Sequence, residues 1–186
     1  MKPERILIGI GGNLPLARIG PPLAVMQAAL LVLPGFGIDL CQRSRWYQSA
    51  PVPPSGQPPF VNGVLDVASD LDPLALLSAL HAAEDIFERR RGARNAARTL
   101  DLDLLAYGAR VENAPGGLQL PHPRLHLRAF VLAPLSELAP DWRHPLLGRS
   151  ASELLAALPE GQWVEAMNTE HTPASGLLAT SCQPVV

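Results

Sequence analysis

The sequence predicts an α+β sandwich, a sheet with helices on one side or both. Short runs that alternate apolar and polar residues interleave with runs of helical periodicity, and no internal repeat breaks the series. Among the 186 residues 47% are hydrophobic and only 17% charged, and a chain of about 150 residues already hides roughly 68–70% of its unfolded surface. The 20 prolines are about twice the usual share of roughly 5%. With so much apolar material available for a core they read as local punctuation, not as a sign of disorder.

Arg5 to Ile10 is a short apolar run that enters a turn at Gly11-Gly12-Asn13, the pattern of a buried strand. Pro21 to Leu33 carries no charge and opens on prolines suited to a first helical turn. Gly35 to Tyr47 reads as a second strand. Ala50 to Pro59 holds five prolines, a density that neither a helix nor a central strand survives. Phe60 to Ala68 alternates as a half-buried strand. Asp72 and Pro73 then start the clearest helix, with Asp72 as cap and Leu71 and Leu76 placed for a hydrophobic staple. Leu76, Leu80, Ala83 and Phe87 form its buried face. It runs towards Arg89-Arg90-Arg91-Gly92, where basic residues complement the helix dipole. Arg98 to Tyr107 alternates as a strand, Asn113 to Gly117 turns, and Leu118 to Leu120 returns. Leu127 to Ala139 and Ser152 to Leu158 are short helices, the latter capped by Ser150 or Ser152. A domain over residues 1–159 is expected, followed by a loosely ordered extension over 160–186.

A net charge of −2 and a pI near 6.2 supply no general field for nucleic acid or an anionic membrane. The longest apolar stretch, Leu23 to Leu33, falls short of the roughly 20 residues a membrane span needs. The N-terminus lacks the pattern of a secretory signal. Cys41 and Cys182 are far apart and form no metal-type spacing, so a reducing, cytoplasmic compartment is the expectation, with a Cys41–Cys182 disulfide as the alternative.

The chemistry concentrates in Arg98-Thr99-Leu100-Asp101-Leu102-Asp103-Leu104-Leu105. In a strand, Asp101 and Asp103 share one face while the leucines point into the core, with aspartate Cα atoms about 6.6 Å apart. Aspartate is depleted in strands, and two carboxylates so placed repel unless something positive sits between them. Mg²⁺ carrying substrate phosphates answers that need, because it often takes one or two protein carboxylates. A solvated sheet face answers it equally well for an isolated pair. Five of the fifteen basic residues, Arg89, Arg90, Arg91, Arg94 and Arg98, lie within ten positions just upstream. Alone, such a run reads as a solvated helix end or a local nucleic-acid patch. Beside the aspartates it supplies guanidinium forks for phosphate, the layout of phosphoryl transfer.

Arg94 to Leu105 (R-N-A-A-R-T-L-D-L-D-L-L) resembles the signature of the 6-hydroxymethyl-7,8-dihydropterin pyrophosphokinase family. Ile8-Gly9-Ile10-Gly11-Gly12-Asn13-Leu14 is similar to that family's opening strand and turn, with Gly12 where a serine is usual. Ser44 to Pro51, Phe60-Val61-Asn62, Pro121-His122 and Arg128-Ala129-Phe130 resemble further segments in the same order, so the likeness spans roughly residues 5 to 158.

The resemblance implies a ferredoxin-like α/β sandwich with an antiparallel-rich sheet flanked by helices. It implies Mg²⁺-dependent transfer of pyrophosphate from ATP to 6-hydroxymethyl-7,8-dihydropterin, giving AMP and the pterin diphosphate, in folate biosynthesis. Asp101 and Asp103 match ligands of two Mg²⁺ ions. Leu77, His81, Glu84, Arg89, Arg91, Arg94, Arg98, His122 and Arg128 match positions on the ATP side. Of these, Arg98 and His122 join the aspartates as catalytic candidates. On the pterin side Phe60 and Phe130 match two stacking aromatics and Asn62 an amide reading the polar edge, with backbone groups of Ala50, Pro51 and Val52 beside them. His126, His144 and His171 match nothing. The partners so implied are ATP and the pterin, with no nucleic acid and no membrane, and a monomer is expected. A non-catalytic module binding RNA through the arginine segment, or another two-carboxylate kinase or nucleotidyltransferase, stand as alternatives.

Overall fold

The computed structural model of the chain describes residues 4–88, 96–114 and 117–168. Its frame is a six-stranded antiparallel sheet built from β1 (Ile6–Gly12), β2 (Asp39–Arg43), β3 (Tyr47–Ser49), β4 (Phe60–Ala68), β5 (Asp101–Tyr107) and β8 (Val164–Ala166). The spatial order is β5-β1-β4-β3-β8, and β2 also pairs with β4. A two-stranded ribbon, β6 (Glu112–Asn113) with β7 (Gln119–Leu120), stands apart. The expected α+β sandwich with an antiparallel sheet flanked by helices is the observed architecture.

β1 separates the two layers of the core. Successive side chains on a strand point to opposite faces, so Ile6, Ile8 and Ile10 enter the core beneath α1 (Pro22–Val32) and α2 (Pro73–Ile86). On the opposite face Leu7, with Val64 and Leu105, meets α3 (Ala129–Leu138) and α4 (Ala151–Ala156). The pairing of β1 with β5 jumps from Ile8↔Leu104 to Leu7↔Ala106. Leu105 is therefore a bulge residue, and it joins its neighbour Ala106 in the second core. Beyond Leu7 the second face of β1 carries only Gly9 and Gly11. That strip is where the core stops and a site can begin.

Several ends differ from their sequence expectations for local reasons. The strand expected over Gly35 to Tyr47 is divided. Leu33–Phe36 forms a 3₁₀ turn closed by Gly37 at φ 73°. β2 ends at Arg43, because Ser44 leaves the ladder and its Oγ accepts the Val64 amide at 3.0 Å. This break turns Trp46 inward until it is almost wholly buried. α2 starts as expected, with the Asp72 carboxylate accepting the amides of Leu74 (3.0 Å) and Ala75 (2.9 Å). It stops at Ile86, where the Arg18 guanidinium donates to the Ile86 carbonyl and pairs with Glu88. Arg89 to Asn95, the expected arginine loop, lie outside the described residues. The helix expected from Leu127 is a 3₁₀ turn over Leu125–Leu127 followed, after Arg128, by α3. α4 is capped by Ser150 in a capping box with Glu153. The sheet also draws in part of the segment expected to be loose beyond 159. β8 pairs with β3, and the Met167 amide donates to the Trp46 carbonyl at 2.8 Å. Cys182 and the rest of 169–186 lie outside the described residues. Among the described residues no helix is long and apolar enough to cross a membrane.

His144 is 3% exposed, edge-on to both His126 and Trp142. Its Nδ1 accepts the backbone amides of Leu146 (3.3 Å) and Leu147 (3.4 Å). Burial first, and the neighbouring His126 second, hold its pKa below the ordinary 6.5. The unfolded chain takes up this proton near the ordinary value while the folded chain resists it, so stability falls as pH drops through and below that value. We expect Tm to decline on acidification more steeply in the wild type than in His144→Asn, which keeps an acceptor and cannot titrate. Thermal melts across a pH series check this, and parallel declines would refute it.

Candidate active site

Sheet register places the predicted residues on one face. Asp101 lies opposite Gly11, Gly11 opposite Asn62, and Asn62 opposite Tyr47. The next row up has Asp103 opposite Gly9 and Gly9 opposite Val64. Adjacent strands are about 4.8 Å apart, so Asp101 and Asn62, two strands from each other, are separated by roughly 10 Å with no side chain between them. A Cβ built on Gly11 would stand 3.0 Å from Asn62 Oδ1. The absence of that carbon leaves a bare floor joining an acidic end to an amide end.

At the acidic end each carboxylate faces a guanidinium. Arg98 Nη1 is 2.6 Å from Asp101 Oδ2, and Arg128 Nη1 is 3.6 Å from Asp103 Oδ2. Both pairs are largely shielded from solvent, Asp103 being the most open of the four at 37% side-chain exposure. Burial, then repulsion from Arg124, lowers the Arg128 pKa, and Asp103 and Asp101 act against this. His122 sits beside this cluster. Its Nδ1 accepts the Arg124 amide at 3.1 Å, which leaves Nε2 as the protonated nitrogen of the neutral ring. Burial chiefly, with Arg128 and Arg124, pushes its pKa down, while Asp103 pulls it up. Two adjacent carboxylates facing glycines rather than side chains suit a hard cation that takes few protein ligands. Among the described residues no group of three or more His, Cys, Asp or Glu gathers for a metal.

The edge strand carrying these acids is held from outside. Glu84 on α2, expected to line the nucleotide site, is wholly buried. Its Oε1 accepts the Leu102 amide at 2.7 Å, so it positions the residue between the two aspartates. His81 and Leu77, half-buried on the same stripe of α2, lie one and two turns away. The His122 amide donates to the Leu105 carbonyl at 2.8 Å. Arg89, Arg91 and Arg94 fall outside the described residues.

At the amide end Asn62 is 5% exposed, and its Nδ2 donates to Ser49 Oγ at 2.9 Å. Phe60, two residues earlier on β4, shares its face. Phe130 stands on α3, the helix packed over that face. The Arg128 guanidinium lies 5.4 Å from the Phe130 ring centroid, which links the aromatic to the Asp103 cluster. Ala50 and Pro51 are half-buried and Val52 is exposed. The Ala50 amide, expected to serve a ligand, already donates to the Trp163 carbonyl at 3.3 Å.

Sequence reasoning missed the residues that hold these parts in place. Asn13, 1% exposed, donates to Gln57 Oε1 (3.3 Å) and the Pro58 carbonyl (3.1 Å), while its Oδ1 accepts the Arg98 amide (3.0 Å). It therefore ties the proline-rich loop to the start of the acidic strand. Glu137 accepts the Tyr47 hydroxyl at 2.6 Å together with the Arg45 amide and guanidinium. Burial first, and the Glu137 hydrogen bond second, raise the Tyr47 pKa to about 12. The turn G-G-N contained Asn13; nothing in the local sequence announced Ser49 or Glu137, because their partners are 13 and 90 residues away.

An antiparallel sheet that presents two carboxylates, opposing arginines and an amide-lined recess on one bare face has the class of a phosphate-transferring enzyme. Residues 7–140 match the family described as 7,8-dihydro-6-hydroxymethylpterin-pyrophosphokinase (HPPK). The 2-amino-4-hydroxy-6-hydroxymethyldihydropteridine pyrophosphokinase of Pseudomonas aeruginosa is 43% identical over 157 residues, covering 84% of this chain and 93% of that protein. Its namesake from Synechocystis sp. is 40% identical over 153 residues, covering 80% of this chain and 73% of the other. In fold, the chain is similar to wild-type HPPK-DHPS of Plasmodium falciparum solved with pteroate, at a TM-score of 0.63 and 12% identity. That likeness covers 82% of this chain and spans less than half of the longer one, 42%. The chain belongs to the HPPK family of pyrophosphokinases, enzymes of folate biosynthesis.

Gly12, which stands where the resembled turn usually has serine, has a local cause. A Cβ there would press into the Thr99 carbonyl and stand 3.0 Å from Met26 Cε. Gly12→Ser is therefore expected to destabilise the chain by about 1–3 kcal/mol, the usual range for overpacking, although it restores the common motif. Urea unfolding measures this, and an unchanged midpoint would contradict it.

Proposed function

We propose that the chain transfers the β,γ-pyrophosphate of ATP to the hydroxymethyl oxygen of 6-hydroxymethyl-7,8-dihydropterin, with Mg²⁺ held by Asp101 and Asp103. The observation that carries the reading is the uninterrupted row Asp101–Gly11–Asn62 on one sheet face. It sets a cation-and-phosphate end and a heterocycle end about 10 Å apart, a span suited to a pterin whose side arm meets a polyphosphate.

Asn62 offers both donor and acceptor to the polar edge of the ring, and Ser49 fixes which way its amide turns. Phe60 and Phe130 supply apolar faces for stacking. Mg²⁺ held by Asp101 and Asp103 would neutralise the polyphosphate and polarise its phosphoryl oxygens. The hydroxymethyl oxygen attacks the β-phosphorus, the bond from that phosphorus to the α–β bridging oxygen breaks, AMP leaves, and the hydroxyl proton is released. Arg98, Arg128 and the Nε2–H of His122 face the oxygens where charge accumulates, and such preorganised donors are commonly the largest single contribution to rate. His122 is suited to this as a neutral donor, since burial and the neighbouring Arg128 and Arg124 lower its pKa.

Supplying ATP, Mg²⁺ and the hydroxymethyl dihydropterin should yield AMP and pterin diphosphate in equal amounts. Formation of ADP, or of free pyrophosphate with a nucleotidylated product, would defeat the proposal. Asp101→Ala should lose activity by at least about 10²-fold, as removal of a transition-state contact does, while its far-ultraviolet circular dichroism stays that of the wild type. A second outcome follows from the guanidinium partners. In the chain without ligand Arg98 and Arg128 occupy the carboxylates, so Mg²⁺ alone should bind more weakly than Mg²⁺ with a non-hydrolysable ATP analogue, whose phosphates take the arginines over. Calorimetry compares the two, and equal affinities would remove the exchange.

A further inference from the structure

α3 begins at Ala129, and its N-cap residue is Arg128, which makes no side-chain cap hydrogen bond. The first amides of a helix lack intrahelical partners and usually draw on the cap residue's own side chain. Arg128 cannot serve, because a guanidinium has no acceptor and this one is directed at Asp103. The first helical amide has its acceptor in Gln162: its Oε1 accepts the Ala129 amide at 2.9 Å, and its Nε2 donates to the Leu127 carbonyl at 3.0 Å.

These two groups lie on either side of Arg128. The Leu127 carbonyl belongs to the peptide plane before its Cα, and the Ala129 amide to the plane after it. Peptide planes are rigid, so the only soft backbone angles between them are φ and ψ of Arg128, which stand at −124° and 112°. One planar amide thus holds both planes at once. Gln162 is itself anchored: Trp163 accepts from Ala50, and Val164 pairs with Ser49 in β8.

We propose that Gln162 is a positioning residue for the reaction, clamping the two peptide planes around Arg128 so that its guanidinium is aimed at the Asp103 cluster and the phosphates bound there. This rests on the pyrophosphokinase reading for its catalytic consequence. Its structural core, that Gln162 acts through Arg128, does not depend on turnover.

The test is a double-mutant cycle over Gln162→Leu and Arg128→Ala, read first as binding of Mg²⁺ with a non-hydrolysable ATP analogue. Gln162→Leu alone should weaken binding about tenfold. It should weaken it no further in the Arg128→Ala background, since residues acting as one unit are non-additive. Gln162→Glu, which still accepts from Ala129 at a helix N-terminus, should recover part of the loss. In turnover, kcat should fall with the KM for pterin within about twofold, as expected when a transition-state contact is lost and ground-state pterin binding kept. Additive effects, or loss of pterin and nucleotide binding alike, would overturn the proposal and reduce Gln162 to a general support. If Gln162→Leu fails to fold, the Gln162→Glu and Arg128→Ala pair runs the same cycle. Should the wild type form no pterin diphosphate, the reaction reading falls while the binding cycle still decides the clamp.

Discussion

Gly9 and Gly11 leave one face of the central strand bare, and the site depends on that bareness. A strand in the middle of a sandwich normally buries side chains on both faces, as β1 does at Ile6, Leu7 and Ile8. Carried on in the same way, any side chain at Gly11 would meet Asn62 Oδ1, and one at Gly9 would meet the Leu105 side chain. Leaving out two side chains gives a recess with backbone as its floor, acids on the β5 side and an amide on the β4 side. The bulge at Leu105 complements this. It turns two consecutive apolar residues into the second core just beyond Asp103, so the strand changes from site to core within one residue.

A recess formed by omission has no side chains of its own to stiffen its rim, and in this chain the rim is held by groups remote in sequence. Glu84 fixes the strand between the aspartates, Asn13 joins the proline-rich loop to Arg98, Gln162 spans the backbone about Arg128, and Arg18 completes the end of α2. Each places a polar side chain on a backbone group that local structure left without a partner. Such groups are costly to bury unsatisfied, by about 1–3 kcal/mol each. The same bonds that satisfy the backbone therefore also locate the functional side chains next to it.

This explains what was legible beforehand. An apolar run gave β1, strand alternation gave β4 and β5, and the Asp72 cap gave the start of α2, because run, period and capping are local properties. The aspartate pair was legible for the same reason, being carried by one strand, whereas Phe60 and Asn62 stood out only through the family resemblance. The break at Ser44 was not, since it depends on a hydroxyl reaching Val64 across the sheet. Nor was the role of β8: three residues, Val164 to Ala166, have no pattern of their own and become a strand only because β3 offers an edge. Glu84 was expected from the resemblance on the ATP side of the site, and its carboxylate turns inward to an edge-strand amide. A sequence shows that such a residue is polar and well spaced, but the direction it faces is decided by the neighbouring strand.

The electrostatics of the acidic end follow from the same geometry. Two carboxylates on one face of an edge strand would repel, and here each is matched by an arginine from a different element, Arg98 just before β5 and Arg128 at the cap of α3. Partly buried ion pairs contribute little net stability, because the Coulombic gain is offset by lost hydration. Their consequence lies in exchange. A ligand that brings cations for the carboxylates and phosphates for the guanidiniums replaces every partner at once and leaves no charge unmatched, whereas a cation alone or a phosphate alone strands half of the set. The paired arrangement thus favours a metal–polyphosphate complex over either component. That selection requires both arginines to be held where they can turn between carboxylate and phosphate, which makes the backbone supporting Arg98 and Arg128 as much a part of the site as the charges it carries.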